Sequence, residues 1–238
     1  MTATHSTKPL AVLTGPTGTG KTDLALALAR EFPLEIISVD SAQVYRGLDI
    51  GSAKPAAEIR AQVPHHLIDL VDPSQSYSAG QFVRDAASAI QDIESRGRVP
   101  LLVGGTMLYL RALTAGIATL PEGSAGVRAA IDAQAAREGW SALHARLAVI
   151  DPDAAGRIHP NDAQRIQRAL EVHAVGGRPI TELQAATRPP LAREFQVCAL
   201  FPADRARLHA DLERRFTQMM EAGLLAEVRA LHARGDLT

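Results

Sequence analysis

Residues 15–22 read Gly15-Pro16-Thr17-Gly18-Thr19-Gly20-Lys21-Thr22 and satisfy every fixed position of the phosphate-binding pattern G-x-x-x-x-G-K-[ST]. No other segment restricts the fold as tightly, because such a loop works only between a strand and a helix. Leu10–Thr14 is a short apolar run suited to a buried parallel strand, and Thr22–Arg30 is rich in helix formers. Inward-facing backbone N–H groups would cradle a polyphosphate, and Lys21 would add a mobile positive charge. Thr22 offers a hydroxyl to Mg²⁺, and the helix that starts there points its positive dipole end at the same anion. A chance glycine-rich turn is the bland alternative, and the strand–loop–helix order argues against it. The loop predicts a bound di- or triphosphate without saying what becomes of it.

The first half of the chain continues to alternate strand and helix signals, as a parallel doubly wound sheet requires. Glu35-Ile-Ile-Ser-Val-Asp40 is an apolar strand ending on a carboxylate, and His66-Leu-Ile-Asp-Leu-Val71 reads as a further strand. Ser78-Ala-Gly-Gln81 is a capping box opening a helix with Phe82, Ala86, Ile90 and Ile93 on one face. Val99–Val103 is another buried strand, running into Gly104-Gly105-Thr106. From about residue 115 the strand signals stop. Helices are predicted over 128–138, 141–150, 152–158 and 163–175, with Asp151-Pro152 as cap and first-turn proline and Gly176-Gly177 as a stop. A strand at 195–201 and an amphipathic helix from Asp204 return to α/β character. The expected organisation is an α/β core over 1–114, a helical insertion over 115–194 and a return to the core over 195–238.

The 238 residues suit one large or two small domains, and 46% hydrophobic content is ample for a core. Aromatics are only 4%, so aliphatic side chains must do most of the packing. The single cysteine, Cys198, excludes an intrachain disulfide framework and is expected to be a buried structural thiol. No apolar stretch reaches the ~20 residues that span a bilayer, so a soluble cytoplasmic protein is expected. A formal net charge of −1 advertises no global basic field. Any site for a polyanion must therefore be a local patch.

Functional groups in open parallel sheets collect beyond the carboxyl ends of the strands. Asp40 occupies such an end, as an Mg²⁺-linked carboxylate, a general base or a helix cap. Gly104 and Gly105 either let something bulky approach the backbone or make a tight turn, and Thr106 either serves the site or caps the next helix. His65 and His66 lack the spaced partners of a zinc site. Met219 and Met220 read as core filling, and Trp140 as a packing anchor.

Taken together, the motifs resemble the tRNA dimethylallyltransferases, also called tRNA isopentenyl transferases. The likeness rests on the phosphate loop, Asp40-Ser-Ala-Gln-Val-Tyr45, Asp49-Ile-Gly-Ser-Ala-Lys-Pro55 and Asp72-Pro-Ser-Gln-Ser-Tyr-Ser78. Leu102-Val-Gly-Gly-Thr-Met-Leu-Tyr109, His159-Pro-Asn-Asp162, Gln164–Glu171 and Gly223–Gly235 complete it. The resemblance implies a P-loop NTPase-like core with a helical insertion domain. It also implies Mg²⁺-dependent transfer of a dimethylallyl group from its diphosphate to N6 of the adenosine 3′ of the tRNA anticodon. Asp40 would be the base and Thr106 would orient a reacting group. Contacts to tRNA would come from Asp40, Ser41, Ala42, Gln43, Thr106, Arg128, Gln164, Arg165, Ile166, Gln167 and Arg168. The partners implied are a tRNA anticodon stem-loop and dimethylallyl diphosphate, with no membrane and a monomer by default. The family pattern continues past Thr238, so this chain is expected to be short at its C-terminus. A prenyl transferase acting on free adenylate, a kinase and a nucleotide-operated switch are the rival readings.

Overall fold

The computed structural model describes residues 8–237. Five strands form one sheet: β1 (Leu10–Thr14), β2 (Leu34–Ser38), β3 (His65–His66), β4 (Val99–Val103) and β5 (Phe195–Ala199). Their order is β3-β2-β4-β1-β5 and every pairing is parallel. All the carboxyl ends therefore lie along one edge of the sheet, which brings residues 15, 39–40 and 104–106 together from distant parts of the sequence.

The helices of this unit are α1 (Lys21–Glu31), α2 (Ala57–Gln62), α3 (Ala79–Ser95) and α4 (Met107–Ala115). The capping box of α3 is formed: Gln81 N–H donates to Ser78 Oγ, and Ser78 N–H donates to the Gln81 side chain. Phe82, Ala86, Ile90 and Ile93 are buried against Leu10, Val12, Ile37 and Leu102. Each large aliphatic or aromatic side chain removed from water in this way contributes roughly 1.5–3 kcal/mol. The other side of the sheet packs Leu13, Ile36, Leu101 and Val103 against Ala25 and its neighbours on α1.

The helical elements between are α5 (Ala125–Glu138), α6 (Trp140–Ile150), α7 (Pro152–Arg157), α8 (Ala163–Gly176) and α9 (Ile180–Ala185). They form a second compact unit, Ala115–Pro189, with its own core of Ile131, Leu143, Leu147, Ile166 and Leu170. Asp151 caps α7, and Gly177 closes α8 in the left-handed region. The chain rejoins the first unit at Pro190 rather than at 195, because Arg193 pairs with Glu94 and Glu194 O accepts from Leu10 N–H. Beyond β5 come α10 (Arg205–Glu221) and α11 (Leu224–His232). No helix among the described residues is long and apolar enough to cross a membrane.

Three expectations need correction. The strand read over 66–71 is confined to His65–His66, because Leu67 and Asp69 adopt positive φ (63° and 57°) and break extended structure. Cys198 is exposed, not buried: β5 is an edge strand pairing only with β1, and Gln196 to Ala199 are all exposed. Met220 is exposed and no residue of α10 is buried, so its methionines do not fill a core.

Candidate active site

A cavity of about 800 Å³ opens over the carboxyl edge of the sheet, with the phosphate loop as its floor. Gly15, Gly18 and Gly20 take positive φ, so the loop turns as few other residues would allow. At Gly18 a side chain would also run into Leu208 and Leu212 of α10, which lies against the loop. Lys21 Nζ donates to Gly15 O and Pro16 O at 2.8 and 2.7 Å, holding the amine across the loop. Burial pushes its pKa below the ordinary lysine value, Arg215 pushes the same way, and Asp40 opposes both. Thr22 lines the cavity one residue on, at the start of α1.

Asp40 lies just past β2 on the same cavity. Its Oδ1 accepts from the N–H groups of Ala42 and Gln43 at 2.8 and 3.3 Å, while Oδ2 takes part in no hydrogen bond among the described residues. One oxygen is thus tethered to the backbone and the other is available. Thr106 Oγ1 accepts from Ser41 N–H at 3.1 Å, which ties the turn after β4 to the loop after β2. Gly104 could not be any other residue, since a Cβ there would come within 2.1 Å of Val39 O. The glycine pair therefore admits the protein's own backbone: Gly104 abuts Val39, and a Cβ on Gly105 would meet Gly15 O.

Ser38, Gln43, Ser52, Ala53 and His65 also line the cavity, Gln43 among the residues the resemblance assigned to tRNA. Arg214, Arg215 and Gln218 of α10, which the sequence did not single out, line it as well. Two arginines thus face a phosphate loop, placed there by a helix nearly two hundred residues away. Only the amphipathic pattern of α10 hinted at them.

The remaining candidates lie together in the second unit. Arg128 on α5 and Arg168 on α8 both pair with Glu171, whose side chain is only 1% exposed. Glu171 accepts from Arg128 Nε at 2.8 Å, Arg168 Nη1 at 2.6 Å and Ser124 N–H at 2.8 Å. Burial pushes its carboxyl up, but the bonds from Arg168, Ser124 and Arg128 outweigh this and hold it below the ordinary glutamate value. Arg168 also donates to Pro121 O, so much of its donor capacity is structural. Ile166 is corrected outright. It is fully buried in the helical core and cannot contact a nucleic acid, because its position on α8 faces Leu143 and Leu147. Gln167 donates to Asp132, whereas Arg165 is 74% exposed with only Asp162 beside it.

Glu171→Ala is expected to destabilise this unit by about 1–3 kcal/mol, since Ser124 N–H loses its partner while both guanidinium groups keep access to water. A denaturant midpoint would measure it. Because the folded pKa is depressed, the contribution of Glu171 is complete above the unfolded value and is lost as pH falls through the folded one. Glu171→Gln should remove that part of the acid dependence.

Two family descriptions match the chain: isopentenyl transferase over residues 8–70 and IPP transferase over residues 43–238. The tRNA dimethylallyltransferase of Alkalilimnicola ehrlichii is 56% identical over 97% of this chain and 73% of its own. That of Aromatoleum aromaticum is 59% identical over 95% of this chain and 71% of its own. Among solved structures, the tRNA isopentenylpyrophosphate transferase of Bacillus halodurans is 39% identical with a TM-score of 0.60, covering 95% of this chain and 71% of that one. A eukaryotic dimethylallyltransferase acting on tRNA aligns with a TM-score of 0.80 at 30% identity, over 97% of this chain and 58% of that one. These structural neighbours share the P-loop NTPase-like arrangement seen here. With the likeness running through both units, the chain belongs to the tRNA dimethylallyltransferase family.

Proposed function

We propose that this protein transfers a dimethylallyl group from dimethylallyl diphosphate to N6 of the adenosine 3′ of a tRNA anticodon. The observation that carries the reading is that one cavity holds an anion cradle, its lysine and a half-tethered carboxylate. An exocyclic aromatic amine is a poor nucleophile, because its lone pair is delocalised into the ring. As the new N6–C bond forms, Asp40 Oδ2 takes the N6 proton. The allylic C–O bond breaks, and the electron pair leaves with diphosphate. Negative charge then grows where loop N–H groups, Lys21 and Arg215 converge, a preorganised form of stabilisation. Thr106, tied to Ser41, orients the reacting groups.

Mg²⁺ fits the donors present. Thr22 and Asp40 offer hard oxygens on the cavity, and no cluster of three or more His, Cys, Asp or Glu that could form an all-protein cage occurs among the described residues. Thr22 together with substrate phosphate oxygens would hold the ion, which would supply further positive charge to the departing diphosphate.

A stacked adenine cannot reach this cavity, so the base is extruded from the anticodon loop at a cost of a few kcal/mol. Arg165 and Arg128 of the second unit contact the tRNA backbone. A cytoplasmic location suits an enzyme that modifies tRNA, and a monomer is the default state assigned to it.

Incubation with dimethylallyl diphosphate, Mg²⁺ and an anticodon stem-loop tests the reading by mass spectrometry. A C5 adduct on adenosine is expected; an adduct only on free AMP, or ATP turnover with no adduct, would overturn it. Arg165→Ala should weaken stem-loop binding and lower the slope of log K against log salt by about 1. An unchanged slope would leave Arg165 as a solvated side chain.

A further inference from the structure

Two motif segments, Asp49–Pro55 and Gly223–Gly235, contribute no group to the chemistry just described, yet the fold brings them into contact. The carboxylate of Glu227 on α11 accepts three consecutive backbone N–H groups. Oε2 takes those of Asp49 and Ile50, both at 2.8 Å, and Oε1 takes that of Gly51 at 2.9 Å. Gly51 permits this approach, because a Cβ there would lie 3.3 Å from Oε1 and 3.1 Å from Leu224 Cδ1. Lys54, its side chain 2% exposed, ties the same loop to Tyr45 O, Asp49 and Asp69. Arg234, from the end of the same segment, makes a two-pronged pair with Asp72.

The loop so gripped turns directly into the reaction cavity. Ser52 and Ala53 line it, with Ala53 in the left-handed region at φ 49°. Their carbonyls accept from Gln43 Nε2 at 3.3 and 3.4 Å, and Gln43 Oε1 accepts from Ser38 Oγ at 2.8 Å. Gln43 N–H is one of the two donors that tether Asp40 Oδ1. A continuous series of bonds thus runs from Glu227 through loop 49–53 and Gln43 to Asp40.

We propose that Glu227 is a positioning residue for prenyl transfer: by clasping the amides of residues 49–51 it holds the cavity wall that orients Gln43 and, through it, Asp40. The proposal rests on Asp40 acting as the base. No residue of α11 lines the cavity, so Glu227 acts on the reacting groups only through the loop it holds. A carboxylate suits the task because both oxygens only accept, and three parallel N–H donors need acceptors alone.

Glu227→Gln is the sharp test, being isosteric but turning an NH₂ toward at least one of the three N–H groups in either amide orientation. Expected results are native thermal stability to within a few degrees, KM for dimethylallyl diphosphate close to wild type, and kcat lower by roughly 10–10²-fold, the scale of a small misplacement of a catalytic group. Amide hydrogen exchange should quicken at residues 49–51 and also at Ala42 and Gln43, while the phosphate loop keeps its protection. That second readout involves no prenylation and stands whatever wild type transfers. Faster exchange at 49–51 alone, with kcat unchanged, would overturn the proposal and leave a local clip. Loss of kcat in strict proportion to the folded fraction would overturn it as well. A wild-type protein that forms no C5 adduct would count against the transfer reaction, whereas the exchange pattern would still decide the coupling.

Discussion

Asp40→Ala should lower kcat by ~10²–10⁴-fold, the range by which a positioned general base accelerates proton transfer, while diphosphate binding stays near wild type. The asymmetry follows from where the carboxylate sits. Asp40 shares the cavity with the phosphate loop but belongs to the turn after β2, and none of the loop's own hydrogen bonds depends on it. Its removal leaves the N–H groups of Ala42 and Gln43 without the Oδ1 acceptor, on a surface that water reaches. The fold therefore survives and the proton acceptor does not. Single-turnover kinetics with a stem-loop, alongside equilibrium binding of inorganic diphosphate, would separate the two effects. Near-normal kcat would make Asp40 a turn-forming residue. Asp40→Asn is the finer probe: its amide oxygen can still accept from both N–H groups, yet the side chain has no basicity to offer.

Lys21→Met should fail differently, with kcat/KM for dimethylallyl diphosphate falling ~10²–10³-fold, the cost of removing one preorganised donor to developing negative charge. Here both binding and transfer suffer, since the ammonium meets diphosphate in the ground state and more charge as the C–O bond breaks. The environment adds a pH signature. Burial and Arg215 hold the pKa of Lys21 below that of an ordinary lysine, so the free enzyme loses this positive charge at a lower pH than a surface lysine would. The alkaline limb of kcat/KM should fall correspondingly early. Arg215→Gln should move that limb upward by removing one of the two causes, even as it weakens diphosphate binding. An alkaline limb that ignores both substitutions would remove Lys21 from the anion site.

Local features of this chain could be read because their causes are local. Positive-φ glycines in the phosphate loop, the Ser78–Gln81 box and the Asp151-Pro152 start each depend on a few adjacent residues, and all are present. Leu67 and Asp69 escaped notice for the opposite reason: neither is glycine, so nothing nearby announced a left-handed backbone. Cys198 sits in an apolar run that would be buried in a central strand. Only the strand order shows that β5 lies at an edge. For Ile166, the motif marked the right helix but not its rotation, and the side chain points into the core.

By itself the sequence determined that a polyphosphate cradle follows the first strand, that an acidic residue ends the second, and that an α/β region surrounds a helical one. These are matters of pattern and spacing, governed by backbone sterics and periodic burial. The tertiary structure alone decided that α10 brings Arg214 and Arg215 over the cradle, that Glu171 binds two arginines and a loop amide at one point, and that Glu227 holds a loop almost 180 residues away. Such pairings depend on which surfaces meet when apolar faces are buried, and no window of adjacent residues carries that information.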